Sequence, residues 1–466
     1  MVSISGLHMV LAAGTFFWLA RALLGLSAHA ALLWPVKKIA AVIAMVGATA
    51  YCVFSGSEVA TERSLITTLV LFGAILADRP ALSIRNLAIA ALLVLAREPE
   101  SLVGPSFQMS FGAVAGLIAL APLLQPSKRE GGAVPAVWRL AHWVLRSAVG
   151  LVAMTLVASL ATAPFAAFHF QTLNPFGLIG NGLALPLVSL ALMPAALLGV
   201  LAYPFGLDRP IWQLMGFAVE KVLEVSAWVS GFAGSTVVVP APSPGAVALL
   251  ALALILATVP VSALRWLALA PAAFGLAAAA SPARFDLVVD RDGSGAAIRG
   301  QDGRLVLVGK PSDFVVEQWL RADGDSRASD DPSLRSGARC DDLGCVVRRR
   351  DGSAVAYIRE ASAFAEDCRR AAAVITRLPA PKDCRAALVI DRATLQANGA
   401  VTATWRDGGP KLQSTRSAGD ARPWERRTTT PPQPSAPADA ERPRRARPFD
   451  DLPDDTSGAD EDERAG

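Results

Sequence analysis

No histidine follows His169; the four in the chain are His8, His29, His142 and His169. A zinc site in the C-terminal part would therefore rest on cysteines and carboxylates alone. The four cysteines there, Cys340, Cys345, Cys368 and Cys384, lack the paired CxxC spacing of a zinc knuckle. Charge is also scarce. Charged residues make up 18% of the 466, against about 25% in ordinary soluble proteins, and the deficit falls on residues 1–281. The net charge of +4 gives no global basic signal for nucleic acid. No basic stretch precedes the first apolar run, so no standard secretory signal is expected. Apolar sequence opens almost at Met1, so an upstream domain is expected to be missing or the start misassigned.

Three catalytic or ligand signatures are missing too. Gly303 to Lys310 imitates a phosphate loop, but five residues separate Gly303 from Gly309, and Pro311 stands where a magnesium-binding Ser or Thr belongs. Asp290, Asp292 and Gly295 imitate a calcium loop, yet its twelfth position is Gln301. No G-x-S-x-G elbow occurs. The chain carries no recognisable ATP motor, no cofactor is expected, and no enzymatic activity is expected.

What is present is a series of apolar runs, at 2–25, 38–54, 64–77, 84–96, 106–124, 144–168, 175–203, 211–232, 244–260 and 262–281. About 20 apolar residues span a bilayer. Runs 64–77 and 84–96 are short, and 211–232 carries Glu220, Lys221 and Glu224, so it can also lie at the interface. The pattern predicts a polytopic α-helical membrane protein with eight to ten segments over 1–281. A small α+β soluble domain over 284–407 and a disordered tail over 408–466 are expected to follow. The first, third and fifth connections hold Arg21, Lys37, Lys38, Arg79, Arg85, Lys128, Arg129 and Arg139, whereas the second and fourth hold only Arg63 and Arg97. The odd connections are then cytoplasmic. With an even number of spans, the N-terminus and the soluble domain lie outside. Four cysteines gathered in that domain suggest disulfides in an oxidising compartment, with the pairing open.

Strands are expected at 285–289, 305–308, 345–348, 354–358, 373–376 and 387–390, and helices at 312–322 and 361–371. Within the membrane part, polar residues cost about 2.5–3.5 kcal/mol each on insertion scales, so they meet a partner or water. They include His8, Glu58, Arg63, Gln108, His169, Asn174 and Asn181. Each has a plainer reading as interhelical hydrogen bonding or interface anchoring. Gly112 and Gly116 read as helix packing. Asn174 and Asn181, with Gly177, Gly180 and Gly182, suggest a broken segment lining a cavity.

The order of local strings resembles one known family. Ser5-Gly6-Leu7-His8 opens the first run, and Ser55-Gly56 precedes Glu62-Arg63. Pro105 to Phe111 opens another, and Pro164, His169-Phe170, Asn174-Pro175, Asn181 and Pro186 follow in order. Over about residues 1–260 this is similar to the competence domain of the ComEC family, inner-membrane channels for DNA uptake. The resemblance implies a multi-pass bacterial inner-membrane protein that passes single-stranded DNA inward, with a periplasmic soluble domain. It implies as partners single-stranded DNA, a cytoplasmic helicase or translocase, an extracytoplasmic DNA receptor and the lipid bilayer; a homo-oligomer is compatible with it. His8, Glu58, Arg63, Gln108, His169, Asn174 and Asn181 are the pathway candidates. The extra N-terminal helices and OB-like domain of the family are expected to be missing here. The soluble domain is compatible with a reduced metallo-β-lactamase-like domain, but without histidine it cannot carry that domain's metal site. The rival reading is a non-DNA transporter or envelope scaffold decayed from such a channel; a periplasmic nuclease is weaker for want of metal ligands.

Overall fold

A computed structural model describes residues 6–124, 136–260, 262–282, 284–406 and 409–416. Lys128, Arg129 and the tail from residue 417 on lie outside the described residues. Apolar helices come first: α1 (Gly6–Gly25), α2 (Ala28–Leu33), α3 (Val36–Phe54), α4 (Val59–Leu76), α5 (Ile84–Arg97), α6 (Pro105–Leu124) and α7 (Ala136–Phe170). After the two-residue strand β1 (Thr172–Leu173) come α8 (Gly177–Leu187), α9 (Met193–Ala202) and α10 (Arg209–Ser230). Strand β2 (Val237–Val238), α11 (Pro244–Thr258) and α12 (Leu269–Ala279) complete this part.

Among the described residues, six stretches are long and apolar enough to cross a membrane: His8–Gly25, Val36–Phe54, Val59–Leu76, Pro105–Pro122, Val144–Phe170 and Gly177–Val200. Two shorter apolar helical segments, Pro244–Thr258 and Ala263–Ala279, accompany them. The runs at 84–96 and 211–232 form α5 and α10, which are outside those six.

Small residues let the helices approach. Ala40, Ala41, Ala44 and Ala48 of α3 are fully buried, and Gly47 lies beneath the Phe16 ring, where a Cβ would collide. A Cβ on Gly112 or Gly116 would come within 3.2 Å of Phe165 or 3.0 Å of Val157. That contact assigns the GxxxG pair of α6 to packing against α7.

The expected break at Asn181 is not there. Helix α8 runs through Asn181, Gly182 and Pro186, and continues into α9 by a π-helical turn at Val188–Leu192. Pro186 removes one helical donor; the wider turn absorbs the misfit, and the Ser189 hydroxyl donates to the Leu185 carbonyl at 2.7 Å. The real interruption comes earlier, at Gln171–Phe176. There Gln171 takes φ 53°, and β1 pairs antiparallel with β2.

The soluble domain contains β3 (Leu287–Val289), β4 (Gly295–Arg299), β5 (Leu305–Gly309) and α13 (Asp313–Asp323). Next come β6 (Ala338–Cys340), β7 (Gly344–Arg348), β8 (Ala354–Ile358), α14 (Phe364–Arg370) and β9 (Ala373–Thr376). It ends with β10 (Leu388–Ile390), α15 (Arg392–Asn398), β11 (Val401–Arg406) and β12 (Gly409–Ser414). Two five-stranded sheets form, in the orders β12-β11-β3-β4-β5 and β10-β9-β8-β7-β6. Leu287, Ile298, Val308, Val347, Val355 and Ile375 are among the core side chains buried between them. Val316 and Leu320 of α13 cover Ala297, Leu305 and Leu307 on the outer face of the first sheet. Phe364 and Cys368 of α14 cover Ala356, Ile358 and Val374 on the second. The result is a helix–sheet–sheet–helix sandwich.

Strand β12 corrects the boundary drawn at 408, because Gly409–Ser414 pairs residue for residue with β11. Its Pro410, Lys411 and Gln413 read as tail, yet an edge strand tolerates proline and lysine. Cys340–Cys345 links register partners on β6 and β7, and Cys368–Cys384 ties α14 to the segment before β10. Loop-closure entropy gives about 2 kcal/mol for the short loop and about 3 kcal/mol for the longer one.

Carboxyls held below their usual range make this domain acid-sensitive, Asp391 and Asp325 among them. Burial alone would raise Asp391, the N-cap of α15, but hydrogen bonds from the Thr394 backbone and hydroxyl and from the Ala380 backbone outweigh burial and hold it below the usual range. Burial likewise opposes, and the Arg327 hydrogen bonds overcome it, at Asp325, which is also lowered. Groups depressed in the folded state contribute stability above their unfolded value, about 3.9, and lose it as pH falls through the folded value. Thermal unfolding of the soluble domain in the full chain should therefore ease as pH drops below about 4. Asp391→Asn, which still caps but cannot ionise, should flatten that dependence; an unchanged acid slope would contradict the assignment.

Candidate functional site

The helix pairings place the polar motif residues at one end of the bundle. Gly6 of α1 lies beside Ser64 of α4, so both helices start there. Glu62 pairs with Arg97 at 2.7 Å, bringing the end of α5 to the start of α4. Gly180 approaches Val229 and Gly199 approaches Trp212, so α10 runs antiparallel to α8–α9 and ends beside the start of α8. Gly275 packs on Ala246 and Leu250, which returns α12 to the start of α11. The soluble domain leaves from that same end. It touches the bundle again where the Ala241 N–H donates to the Ala322 carbonyl, and where Gly324, at φ 80°, packs on Pro240.

Gln108 and His169 meet at this end. The Gln108 amide nitrogen donates to the Leu102 carbonyl at 3.0 Å, which turns its oxygen toward His169 Nε2 at 2.9 Å. An oxygen there can only accept, so the ring donates to it from Nε2. Leu102 belongs to a 3-10 turn, Pro99–Val103, directly after Glu98. Arg63, half-buried on α4, lies within electrostatic reach of Glu98. The successive charges Glu62-Arg63 thus face Arg97-Glu98 in complementary order. His8 is half-buried near the start of α1, and Glu58 is exposed as the N-cap of α4.

Asn174 and Asn181 share a second cluster. Both line a cavity of about 370 Å³ between α8 and α10, together with Ser226, Ser230, Ser235 and Thr236. The Thr236 hydroxyl donates to Asn174 Oδ1 at 3.4 Å. The β1–β2 register explains the contact, because Thr172↔Val238 and Leu173↔Val237 set position 174 opposite 236. The structure therefore joins Gln108 to His169 and Asn174 to Asn181, and sets His8, Glu58 and Arg63 at the same end on α1 and α4. Of the seven, Asn174 and Asn181 share this cavity. The α10 serines, Thr236 and Glu98 escaped the sequence reading; the mirrored charge order of 62–63 and 97–98 was a usable signal for Glu98.

This end is rich in carboxylates: Glu58, Glu62, Glu98 and Glu100 sit with Arg63 and Arg97. The opposite end carries Lys37, Lys38, Arg79, Arg85, Arg209 and Arg265 against Asp78 and Asp208. Among the described residues, no three His, Cys, Asp or Glu side chains group as metal ligands.

A family model described as "Competence protein" matches residues 1–264, more than half of the chain. The chain is similar to "Competence protein ComA" of Neisseria gonorrhoeae, at 31% identity over 246 residues, covering 52% of this chain and 31% of that protein. It thus spans less than a third of the length of the curated relative it matches. No solved structure matches it.

The β1–β2 geometry is open to a direct check. Asn174→Cys with Thr236→Cys should form a disulfide under mild oxidant, since opposed positions of an antiparallel pair meet the Cα spacing of about 4.4–6.8 Å that a bridge needs. Peptide mass spectrometry reads the product. Its absence, with both thiols labelled separately, would overturn the pairing.

Proposed function

The chain belongs to the competence protein family, and we propose that it is an inner-membrane channel component passing single-stranded DNA into the cytoplasm during natural transformation. The observation that carries this reading is the gathering of amides, hydroxyls and imidazole at the membrane end that bears the soluble domain. Polar groups at membrane depth are retained where they meet a partner or a wet path. Neutral amides suit a sliding polyanion, because a deep basic trap would hold the phosphates too tightly to release them.

The end rich in Lys and Arg faces the cytoplasm in this reading, so the soluble domain is periplasmic. Its two disulfides fit that compartment. Entry against the potential costs about 2.3 kcal/mol per charge per 100 mV. A cytoplasmic helicase or translocase supplies that work, and an extracytoplasmic receptor delivers the strand. The soluble domain has no catalytic part; its four-layer arrangement is consistent with a reduced metallo-β-lactamase-like domain that has lost the metal-binding histidines.

Asn181→Leu and Gln108→Leu should each lower transformation roughly tenfold at unchanged abundance, the effect of about 1.4 kcal/mol on a limiting step. Normal transformation in both would remove the support for a channel and favour a non-DNA transporter or scaffold. Orientation has its own test. In intact spheroplasts, impermeant reductant followed by impermeant maleimide should label the cysteines of the soluble domain, and labelling that requires lysis would reverse the topology.

A further inference from the structure

An arginine-lined cleft lies where the β6–β7 hairpin of the second sheet meets the β4–β5 turn and β5 of the first. Alternation along β7 sends Cys345 and Val347 into the core between the sheets, so Val346 and Arg348 face outward. Arg339 stands opposite Val346 in the register, on that same face. It is therefore the diagonal neighbour of Arg348, at about 7–8 Å. Both side chains are exposed, and neither is held in an ion pair or hydrogen bond among the described residues. Arg327 is fixed beside them by Asp325 and the Leu305 carbonyl.

These three arginines line a cleft of about 440 Å³ with Ser333, Ser336 and the backbone of Gly300 and Gly337, and Asp302 is the carboxylate on its wall. A neighbouring cleft shares Val346 and Arg348 but runs beneath α14, where Glu366 and Asp367 offset Arg370. The anion-attracting end is thus the first cleft. No aromatic ring lines it, so it offers no platform for stacked bases. Planar guanidinium donors on fixed strands match phosphodiester oxygens instead. Its location adds to the case. Asp325, which holds Arg327, follows Gly324, which packs on Pro240 at the membrane end.

We infer that this cleft binds the sugar–phosphate backbone of a DNA single strand, without base selectivity, beside the membrane end that carries the polar cluster. The inference rests on the DNA-uptake reading and adds where the strand is held outside the membrane.

The test uses the full chain in nanodiscs of zwitterionic lipid and the anisotropy of fluorescent oligothymidylate across a salt series. Arg339→Ala with Arg348→Ala should weaken binding about tenfold and reduce the log–log salt slope by about 1.4, or about 0.7 for each phosphate no longer neutralised. Arg339→Lys with Arg348→Lys should keep the slope, which separates removal of charge from misfolding. Unchanged affinity and slope in the alanine variant would overturn the inference, as would equally weakened binding in the lysine variant. Displacement of the oligonucleotide by phosphatidylglycerol vesicles at equal phosphate would overturn it in favour of a lipid headgroup. Binding is read without transport. Loss of binding in the alanine variant, alongside normal transformation by Asn181→Leu and Gln108→Leu, would keep the cleft and fail the channel. The reverse pair of results would fail the cleft alone.

Discussion

Hydrocarbon offers a peptide group no hydrogen-bond partner, and each one left unsatisfied there costs several kcal/mol. This decides where the chain can leave the helix. Between α7 and α8 the chain departs from helix at the bundle end, and the departure is repaired at once. Thr172–Leu173 bond to Val237–Val238, and the Val239 N–H donates to the Gln171 carbonyl. The repair has a geometric product, because pairing those backbones seats Asn174 opposite Thr236. Inside the membrane part the chain bends rather than breaks. Pro186 is carried by a π-helical turn, and the neighbouring Ser189 hydroxyl caps the Leu185 carbonyl.

Charges mark the two ends more than they bind them. Lys38–Asp78 and Glu62–Arg97 are partly exposed pairs, a class worth about 0–1 kcal/mol. Cohesion comes from Ala and Gly contacts such as Gly47 under Phe16. The soluble domain follows different rules. There Arg299 is nearly enclosed, bonding Asp323 at 2.6 Å and the Gly303 carbonyl at 2.8 Å, and so joins the β4–β5 turn to the end of α13.

Much of this was legible because apolar length and β-branched runs are local signals. Leu305–Gly309 and Ala354–Ile358 follow β-branched runs, and α13 follows its amphipathic spacing. Strand β4 escaped because Gly295, Ala296 and Ala297 have little strand propensity and owe their conformation to pairing with β5. The α8 helix was misread at Asn181 because local propensity cannot see α10, which packs along it. Cysteine number indicated bridges, but only the register of β6 with β7 identifies Cys345 as the partner of Cys340. Within the site, Gln108 and His169 stood out as costly residues in apolar helices. That they meet each other depends on the antiparallel fit of α6 and α7.

The contact of Gly324 with Pro240 has a mechanical consequence. A body hung from a single covalent link, such as the end of α12, swings about every axis. A second seat removes all rotations except the one about the line joining the two points. Together with the adjacent Ala241–Ala322 hydrogen bond, that contact seats the sandwich as a wall beside the bundle end. Any side chain at 324 would act as a shim there, tilting that wall by the length of its lever arm.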